Sequence, residues 1–316
     1  MRAAAWLVVA LGCAASCAHA SARPAWASDA RIATVPVHET HETSGDDARM
    51  VVLTFLPPGP GPFPVVVFSH GRDPSAHGRA DLAVGVSRAQ VFFWRARGIA
   101  VVAPVRPGYG DSTGGDVEGA GVHFDGSGHC VGRADFRNTA DVAVRSVAAT
   151  LQWLRDQPWA DASQVLLVGQ SVGGLATVAA GAHALPGVVG YVNFAGGTGG
   201  NPDRSRGASC DPGQVEALYA GYGESTTMPN LWVYALNDQY WGAVVPREWH
   251  AAFARGGSAT IFVQVPAVPD GDGHGLSRHD PALWAPTVDA FLARLGPPWN
   301  AATLPHPVLR LDVGGP

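Results

Sequence analysis

The chain has 316 residues, of which 47% are hydrophobic and 15% are charged, and its formal net charge is −5. This length suffices for one large domain with a substantial core, and the absence of a basic cluster argues against a nucleic-acid partner. The sequence contains no lysine, so all 21 basic residues are arginine. A Ser–Lys dyad, a Schiff-base lysine and a P-loop are therefore excluded, since each needs a primary amine.

The N-terminus has the pattern of an export signal. An apolar stretch at residues 3–17 ends in the small residues Ala-His-Ala at 18–20. This stretch is shorter than the about 18 residues that a membrane-spanning helix needs. We therefore expect residues 1–20 to be removed, with cleavage as late as residue 27 as an alternative, and the protein to be periplasmic or secreted. Lipidation at Cys17 is less favoured, because the leucine usual three residues earlier is missing.

Two cysteines remain after the signal, Cys130 and Cys210. An even pair in an oxidising compartment predicts one disulfide. Both residues lie in segments rich in Gly, Ser and Asp, which favours a disulfide over two unrelated buried thiols. We expect this disulfide to pin a lid over the site.

Apolar runs of strand length alternate with segments of helical period along the chain. Strands are predicted at 31–37, 50–56, 65–69, 99–105, 164–168, 188–194, 231–236 and 260–265. Helices are predicted at 80–97, 138–157, 173–183, 246–255 and 281–295. This alternation predicts a mostly parallel sheet covered by helices. No repeat or long linker is present, so we expect one α/β domain over residues 21–316, with lid loops at about 111–137 and 196–228.

A serine between two glycines is the first candidate for chemistry. In Gly-x-Ser-x-Gly the serine sits on a tight turn from strand to helix, and the glycines leave room for that turn. The motif occurs twice, around Ser171 and around Ser112. Only the first match follows an apolar strand and opens a helix, so Ser171 is the predicted nucleophile. Ser112 is interpreted as a loop residue near the mouth of the site.

A serine nucleophile needs a base, and the base needs an acid to orient it. In this fold the acid and the base follow later strands, in that order. The strand at 231–236 is followed by Asn237 and Asp238, and Asp238 is the only carboxylate between Glu224 and Glu248. His274 lies between glycines after the last strand, and we prefer it to His279, which precedes Asp-Pro and resembles a helix entry.

Two backbone N–H groups are needed to stabilise an oxyanion. Val172 supplies one, because it follows the nucleophile. The turn after the strand at 65–69 should supply the other through the N–H of Arg72. His70 in the same turn is interpreted as a structural residue that braces the loop.

These residues together resemble the dienelactone hydrolase and prolyl-oligopeptidase-like branch of the α/β-hydrolase superfamily. The matching segments are 68–71, 106–112, the elbow at 169–173, 237–238 and 273–275. The resemblance covers roughly residues 50 to 295. It implies the α/β-hydrolase fold, a mostly parallel eight-stranded sheet with helices on both faces, and acyl hydrolysis without a cofactor.

The resemblance has one departure. The dienelactone hydrolases use cysteine as nucleophile where this chain has Ser171, so a dienelactone substrate is not implied. Cleavage of small carboxylic esters is the leading expectation, a peptidase for short peptides is the runner-up, and a non-catalytic binding protein is the alternative from another class.

Several residues near the predicted site have two possible roles. Tyr240 and Trp241, which follow the acid, are candidates for lining the substrate pocket or for edge packing. The side chain of Arg72 is a candidate for attracting an acidic substrate, or is simply an exposed loop arginine. No metal site is expected, because His123, His129 and Cys130 have no second ligand pair at zinc spacing.

Overall fold

The computed structural model describes residues 22–38 and 47–301. The strands are β1 (Arg31–Val37), β2 (Ala48–Phe55), β3 (Phe63–Ser69), β4 (Ala100–Val105), β5 (Val122–Phe124), β6 (Cys130–Gly132), β7 (Ala160–Gln170), β8 (Val188–Phe194), β9 (Gly200–Asn201), β10 (Ser205–Ser209), β11 (Asn230–Ala235) and β12 (Thr260–Val265). The helices are α1 (Ala76–Ala80), α2 (Arg88–Arg95), α3 (Phe136–Leu154), α4 (Val172–Ala182), α5 (Pro212–Ser225), α6 (Val245–Ala254) and α7 (Ala285–Leu295).

Eight strands form one sheet in the order β1-β2-β4-β3-β7-β8-β11-β12. The pairs β1–β2 and β2–β4 are antiparallel, and every later pair from β4 to β12 is parallel. The prediction of a mostly parallel eight-stranded sheet is confirmed. Two short hairpins, β5–β6 and β9–β10, lie outside the sheet.

Both faces of the sheet are covered by helices. On β3, Val65 and Val67 belong to the apolar cluster that includes residues of α3 to α6, whereas Val66 and Phe68 belong to the cluster that includes residues of α2 and α7. Successive side chains of a strand point to opposite faces. A central parallel strand is buried on both faces, so it reads as an unbroken apolar run.

The register of the central strands sets where the site forms. Ser69 at the end of β3 pairs with Gly169 near the end of β7, and Val233 of β11 pairs with Phe194 at the end of β8. The carboxyl ends of these parallel strands therefore meet at one edge of the sheet. In open α/β sheets this edge is where ligands bind.

The predicted helix at 80–97 is wrong over its first half. The structure has the short α1, an irregular segment at 81–87, and then α2. The side chain of Ser87 accepts a hydrogen bond from the backbone N–H of Gln90, so Ser87 caps α2 and fixes its start at Arg88. Leu82, taken as part of a helical apolar stripe, instead lines a cavity described below.

The segment at 196–228, predicted as a lid loop, contains the helix α5. Its residues Val215, Leu218 and Tyr219 are buried in the same core cluster as Trp232 of β11. These residues have helical spacing, but the three glycines of the segment lower its helix propensity, and the sequence analysis did not predict a helix there. The segment at 111–137 carries the hairpin β5–β6.

A disulfide joins Cys130 of β6 to Cys210, two residues before α5 begins, across a sequence separation of 80. It therefore ties the β5–β6 hairpin to the first turn of α5. That it restrains a lid stays a prediction.

The predicted signal at residues 1–20 lies outside the described residues. The alternative cleavage point after residue 27 falls in a short 3₁₀ helix, Ala25–Ala27, which packs on the fold. The indole of Trp26 stacks on Phe55 with ring centroids 5.9 Å apart, and Ala27 is buried. Cleavage after residue 27 would remove these contacts. Within the described ranges, no helix is both long and apolar enough to cross a bilayer.

Reduction of the disulfide tests its contribution to stability. A cross-link that closes a loop of this length restricts the unfolded chain. We therefore expect the Cys130→Ser, Cys210→Ser double variant to lose about 2–4 kcal/mol of unfolding free energy. Urea unfolding of the oxidised wild type, the reduced wild type and the double variant measures this. Equal midpoints for the oxidised and reduced wild type would contradict the disulfide.

His250 gives the fold a pH dependence. Its ring lies between Trp232 and Phe262, and its Nε2 is 2.9 Å from the hydroxyl of Thr260. Burial lowers the pKa of His250 to about 4. The unfolded chain titrates near the ordinary value of 6.5, so between these two values it binds more protons than the folded chain. Protonation therefore favours unfolding as the pH falls below 6.5.

We expect wild-type unfolding free energy to decrease from pH 7.5 to pH 4.5, and His250→Gln to reduce this decrease, because glutamine cannot take up the proton. Urea unfolding at three pH values in this window provides the measurement. His183→Gln, at an exposed position on the end of α4, is the control. Parallel pH profiles for wild type and His250→Gln would contradict the assignment.

Candidate active site

The turn between β7 and α4 holds Ser171 in a strained backbone conformation. Ser171 has φ 58° and ψ −123°, a region that residues with a side chain rarely adopt. A Cβ at Gly169 would lie 2.0 Å from the carbonyl oxygen of Gly173, and a Cβ at Gly173 would lie 1.9 Å from that of Ser69. Both glycines of the motif are therefore required by backbone packing. Ser171 is 8% exposed at the edge where the strands end.

Asp238 and His274 form a buried pair. The Nδ1 of His274 lies 3.2 Å from Oδ2 of Asp238, and the two residues are 5% and 3% exposed, respectively. The other carboxylate oxygen of Asp238 accepts hydrogen bonds from the backbone N–H groups of Tyr240 and Trp241, at 2.8 and 3.0 Å. An ionised carboxylate only accepts, so a hydrogen bond to it is donated by Nδ1 of His274; in a neutral imidazole of this tautomer the lone pair is on Nε2.

The loop that carries His274 is fixed to the loop that carries Asp238. One oxygen of the Asp272 carboxylate accepts from the backbone N–H of both His274 and Gln239, each at 2.9 Å. A Cβ at Gly273 would lie 2.7 Å from the backbone nitrogen of Asp238, so only glycine allows this approach. The orientation of the imidazole is therefore set by contacts far apart in sequence.

Ser171 and His274 line one cavity of about 330 Å³. Much of its wall comes from the segment 71–87, through residues such as Leu82, Val84 and Val86, rather than from the two segments predicted as lids. Within the described residues, no hydrogen bond joins the serine Oγ to the imidazole. Catalytic hydrogen bonds are often long in unliganded proteins and shorten when substrate binds.

The turn after β3 lies directly beside the elbow. A Cβ at Gly71 would be 3.2 Å from the Cβ of Ser171. Among the described residues, the backbone N–H groups of Arg72 and Val172 have no hydrogen-bond partner. Val172 is the first residue of α4, where N–H groups are free and the helix dipole favours negative charge.

Tyr240 and Trp241 pack on the imidazole of His274. The ring of Tyr240 stacks on it with centroids 3.9 Å apart at 25°, and that of Trp241 meets it edge-on at 5.4 Å. Tyr240 is half-buried and lines the cavity. Trp241 is 1% exposed, and its indole N–H donates to the carbonyl of Ala195, so it serves as packing beneath the pair.

Ser112 is not at the mouth of the cavity. It is buried, and its hydroxyl donates to the carbonyl of Val105 and accepts from the backbone N–H of Val51. Ser112 therefore ties the loop after β4 to strands β2 and β4. His279 ends the 3₁₀ helix Gly273–Arg278 and does not contact Asp238, which is already paired with His274.

Within the described ranges, no group of three or more metal-binding side chains comes together, and His123 is exposed.

The guanidinium of Arg72 is paired within the protein. Its guanidinium donates two hydrogen bonds to the carboxylate of Asp116, at 2.6 and 2.7 Å, and is 17% exposed. Burial opposes ionisation of Asp116, but the hydrogen bonds and charge of Arg72 outweigh it and lower the pKa of Asp116. Both charges are therefore satisfied within the protein.

A buried network behind this turn was missed in the sequence. His70 donates from Nδ1 to the carbonyl of Gly71 at 2.7 Å and accepts at Nε2 from the backbone N–H of Arg106 at 3.1 Å. Burial and the Arg106 guanidinium hold the pKa of His70 well below its usual value, so the ring is neutral. Arg106 in turn pairs with Glu118. Glu118 carries no local signal in the sequence, because it is one carboxylate in a Gly-rich loop.

No protein-family model matches the chain, and no curated protein matches it either. Solved structures do resemble it. An esterase from Pyrococcus furiosus aligns with a TM-score of 0.56 at 14% identity, covering 86% of this chain and 92% of the esterase. A puromycin-hydrolysing peptidase from Mycobacterium tuberculosis aligns with a TM-score of 0.50 at 19% identity, covering 86% of this chain and 40% of the peptidase.

A Klebsiella pneumoniae protein assigned to the dienelactone hydrolases aligns with a TM-score of 0.50 at 13% identity, covering 83% of this chain and 98% of that protein. Similarity at these identities defines the fold. The chain has the α/β-hydrolase fold, as the sequence predicts.

Substitution of Gly173 tests the packing of the elbow. Alanine is the better helix former by about 1 kcal/mol, but its Cβ would overlap the carbonyl oxygen of Ser69. We expect Gly173→Ala to lose about 1–3 kcal/mol of unfolding free energy. Gly115→Ala is the matched control, because a Cβ there meets nothing within 4 Å. Chemical unfolding compares the two, and equal stabilities would contradict the packing.

Proposed function

We propose that the protein is an exported serine hydrolase that cleaves carboxylic esters through an acyl-enzyme on Ser171. The observation that carries this proposal is the pairing of His274 with Asp238 at the cavity that Ser171 also lines. The esterase and hydrolase neighbours of the same fold support it. The disulfide and the signal-like N-terminus support export, since disulfides persist in oxidising compartments.

In the proposed acylation step, the Oγ of Ser171 attacks the ester carbonyl carbon while Nε2 of His274 takes the hydroxyl proton. Asp238 holds the imidazole by accepting from Nδ1–H and stabilises the imidazolium that forms. The carbonyl electrons move to oxygen, and the resulting oxyanion accepts from the N–H groups of Val172 and Arg72. The tetrahedral intermediate then collapses, and the alcohol leaves with the proton from His274.

In the proposed deacylation step, a water molecule replaces the alcohol. His274 removes a proton from this water as its oxygen attacks the acyl carbon. The second tetrahedral intermediate collapses, Ser171 leaves with the proton from the imidazole, and the carboxylic acid is released. Every proton moves between side chain and substrate, so this reaction needs no cofactor.

The cavity supports a small ester as substrate. Its volume of about 330 Å³ is at the low end for small-molecule pockets. Leu82, Val84 and Val86 provide an apolar wall, while Ser277 and Arg278 add polar groups. A short acyl or alcohol group fits such a mixed lining better than a long chain.

Replacement of Ser171 tests the nucleophile. We expect Ser171→Ala to lower kcat on p-nitrophenyl acetate by about a thousandfold or more and to abolish labelling by a fluorophosphonate, which reacts only with an activated serine. Ser112→Ala, at the second Gly-x-Ser-x-Gly motif, is the control and keeps the label. Mass spectrometry of the labelled peptide identifies the site. Labelling that persists in Ser171→Ala would refute the assignment.

Two histidine variants test the base. His274→Gln removes the proton acceptor, so we expect a loss in kcat of about a thousandfold, while His279→Gln retains activity. Steady-state kinetics with the same ester measure both. Equal losses in the two variants would contradict the assignment of His274.

Peptide amides with the same acyl groups distinguish esterase from peptidase. Faster cleavage of amides than of esters would favour the peptidase reading. A wild type that neither hydrolyses esters or amides nor takes up the fluorophosphonate would favour a binding protein.

A further inference from the structure

We propose that Arg106, held in place by Glu118, is a positioning residue that aims the backbone N–H of Arg72 into the cavity and so completes the oxyanion hole. This role rests on the proposed hydrolase function. Arg106 touches neither substrate nor Ser171, and it acts through the peptide group that joins Gly71 to Arg72.

The hydrogen bonds of Arg106 fix the turn after β3. Its Nη1 donates to the carbonyl of His70 at 2.6 Å, and its Nη2 donates to the carbonyl of Gly71 at 3.1 Å. The Gly71 carbonyl also accepts from Nδ1 of His70. Two donors therefore hold this oxygen in one direction.

The planar peptide bond converts this direction into the direction of an N–H. The bond between Gly71 and Arg72 is trans, so its C=O and N–H point opposite ways. Because the carbonyl points at Arg106 and His70, the N–H of Arg72 points away from them. Gly71 packs against Ser171 and both turn residues line the cavity, so this unpartnered N–H is available to an oxyanion there.

Glu118 fixes the guanidinium. Its two carboxylate oxygens pair with Nε and Nη2 of Arg106, and one of them accepts from the hydroxyl of Tyr109 at 3.0 Å. Glu118 is 1% exposed and Arg106 is 1% exposed. Although burial opposes it, the charge of Glu118 raises the pKa of Arg106 above its usual value. The pair is thus closely hydrogen-bonded and screened from water.

His70 closes the network from the other side. Its Nε2 accepts from the backbone N–H of Arg106, and its ring packs edge-on against Tyr109 with centroids 4.6 Å apart. The turn after β3 and the turn after β4 are therefore locked to each other. A simple ion pair for stability would not need the two further bonds that the Arg106 side chain makes to the backbone of this turn.

Kinetics with a tetrahedral mimic test the proposal. Loss of one oxyanion donor lowers kcat by about 10²–10³ in serine hydrolases. A donor that is misaimed rather than removed should cost less, so we expect Arg106→Met and Glu118→Gln to lower kcat by about 10–100-fold, with KM changed by about threefold at most. Affinity for a phenylboronic acid, whose adduct with Ser171 places an oxygen in the hole, should fall by the same factor as kcat.

Arg97→Met is the control. Arg97, just after α2, makes a bidentate ion pair with Asp289 of α7, at 2.8 and 2.8 Å. This pair is more exposed than Arg106–Glu118, and neither of its residues lines the cavity. The Arg97→Met variant should lose stability while its kcat and its affinity for the boronic acid stay unchanged. Recovery of activity in Arg106→Ala on addition of guanidinium ion would support the positioning role, because a purely structural loss is not rescued in the assay.

The outcomes separate the two proposals. If the wild type hydrolyses the ester and binds the boronic acid, while Arg106→Met and Glu118→Gln are folded by circular dichroism and keep wild-type kcat and affinity, the positioning role is refuted and the hydrolase stands. If Arg106→Met does not fold, the Glu118→Gln comparison decides alone. A wild type with neither activity nor boronic acid affinity refutes the hydrolase itself.

Discussion

The close approach of α4 to the end of β3 is the constraint on which the site depends. Gly173 lies so near the carbonyl of Ser69 that any side chain would force the helix away from the strand. This contact accompanies the close approach of the turn around Gly71 to Ser171. The strained φ of Ser171 follows from the same geometry, because the chain must reverse within a single residue between β7 and α4.

The sequence predicted the parts of the fold whose signals are local. The strands β8 and β12 were predicted with the bounds that the structure shows, and the sheet was predicted as mostly parallel. The first half of the segment at 80–97 and the helix α5 were not. Leu82 faces a cavity built from several loops, and the three glycines of α5 lower its helix propensity although its apolar residues have helical spacing.

The sequence likewise predicted some residues of the candidate site and missed others. Ser171, Asp238 and His274 were chosen from motifs and strand order, and the structure brings them to one edge of the sheet; their roles stay predictions. Glu118 had no such motif. Its importance comes from the burial of an ion pair, which is costly in free energy unless every charge is bonded. Only coordinates reveal that the remaining donors of Arg106 bond the turn beside the serine.

The disulfide has a topological consequence. Cys130 and Cys210 close a covalent ring of chain that contains Ser171, while Asp238 and His274 lie outside it. A protease that cuts the chain once inside this ring releases no fragment, because the disulfide still joins the two pieces. In an environment rich in proteases, a nick at the exposed residues Asp203 and Arg204 would leave the serine tethered to the rest of the protein until a reductant opened the ring.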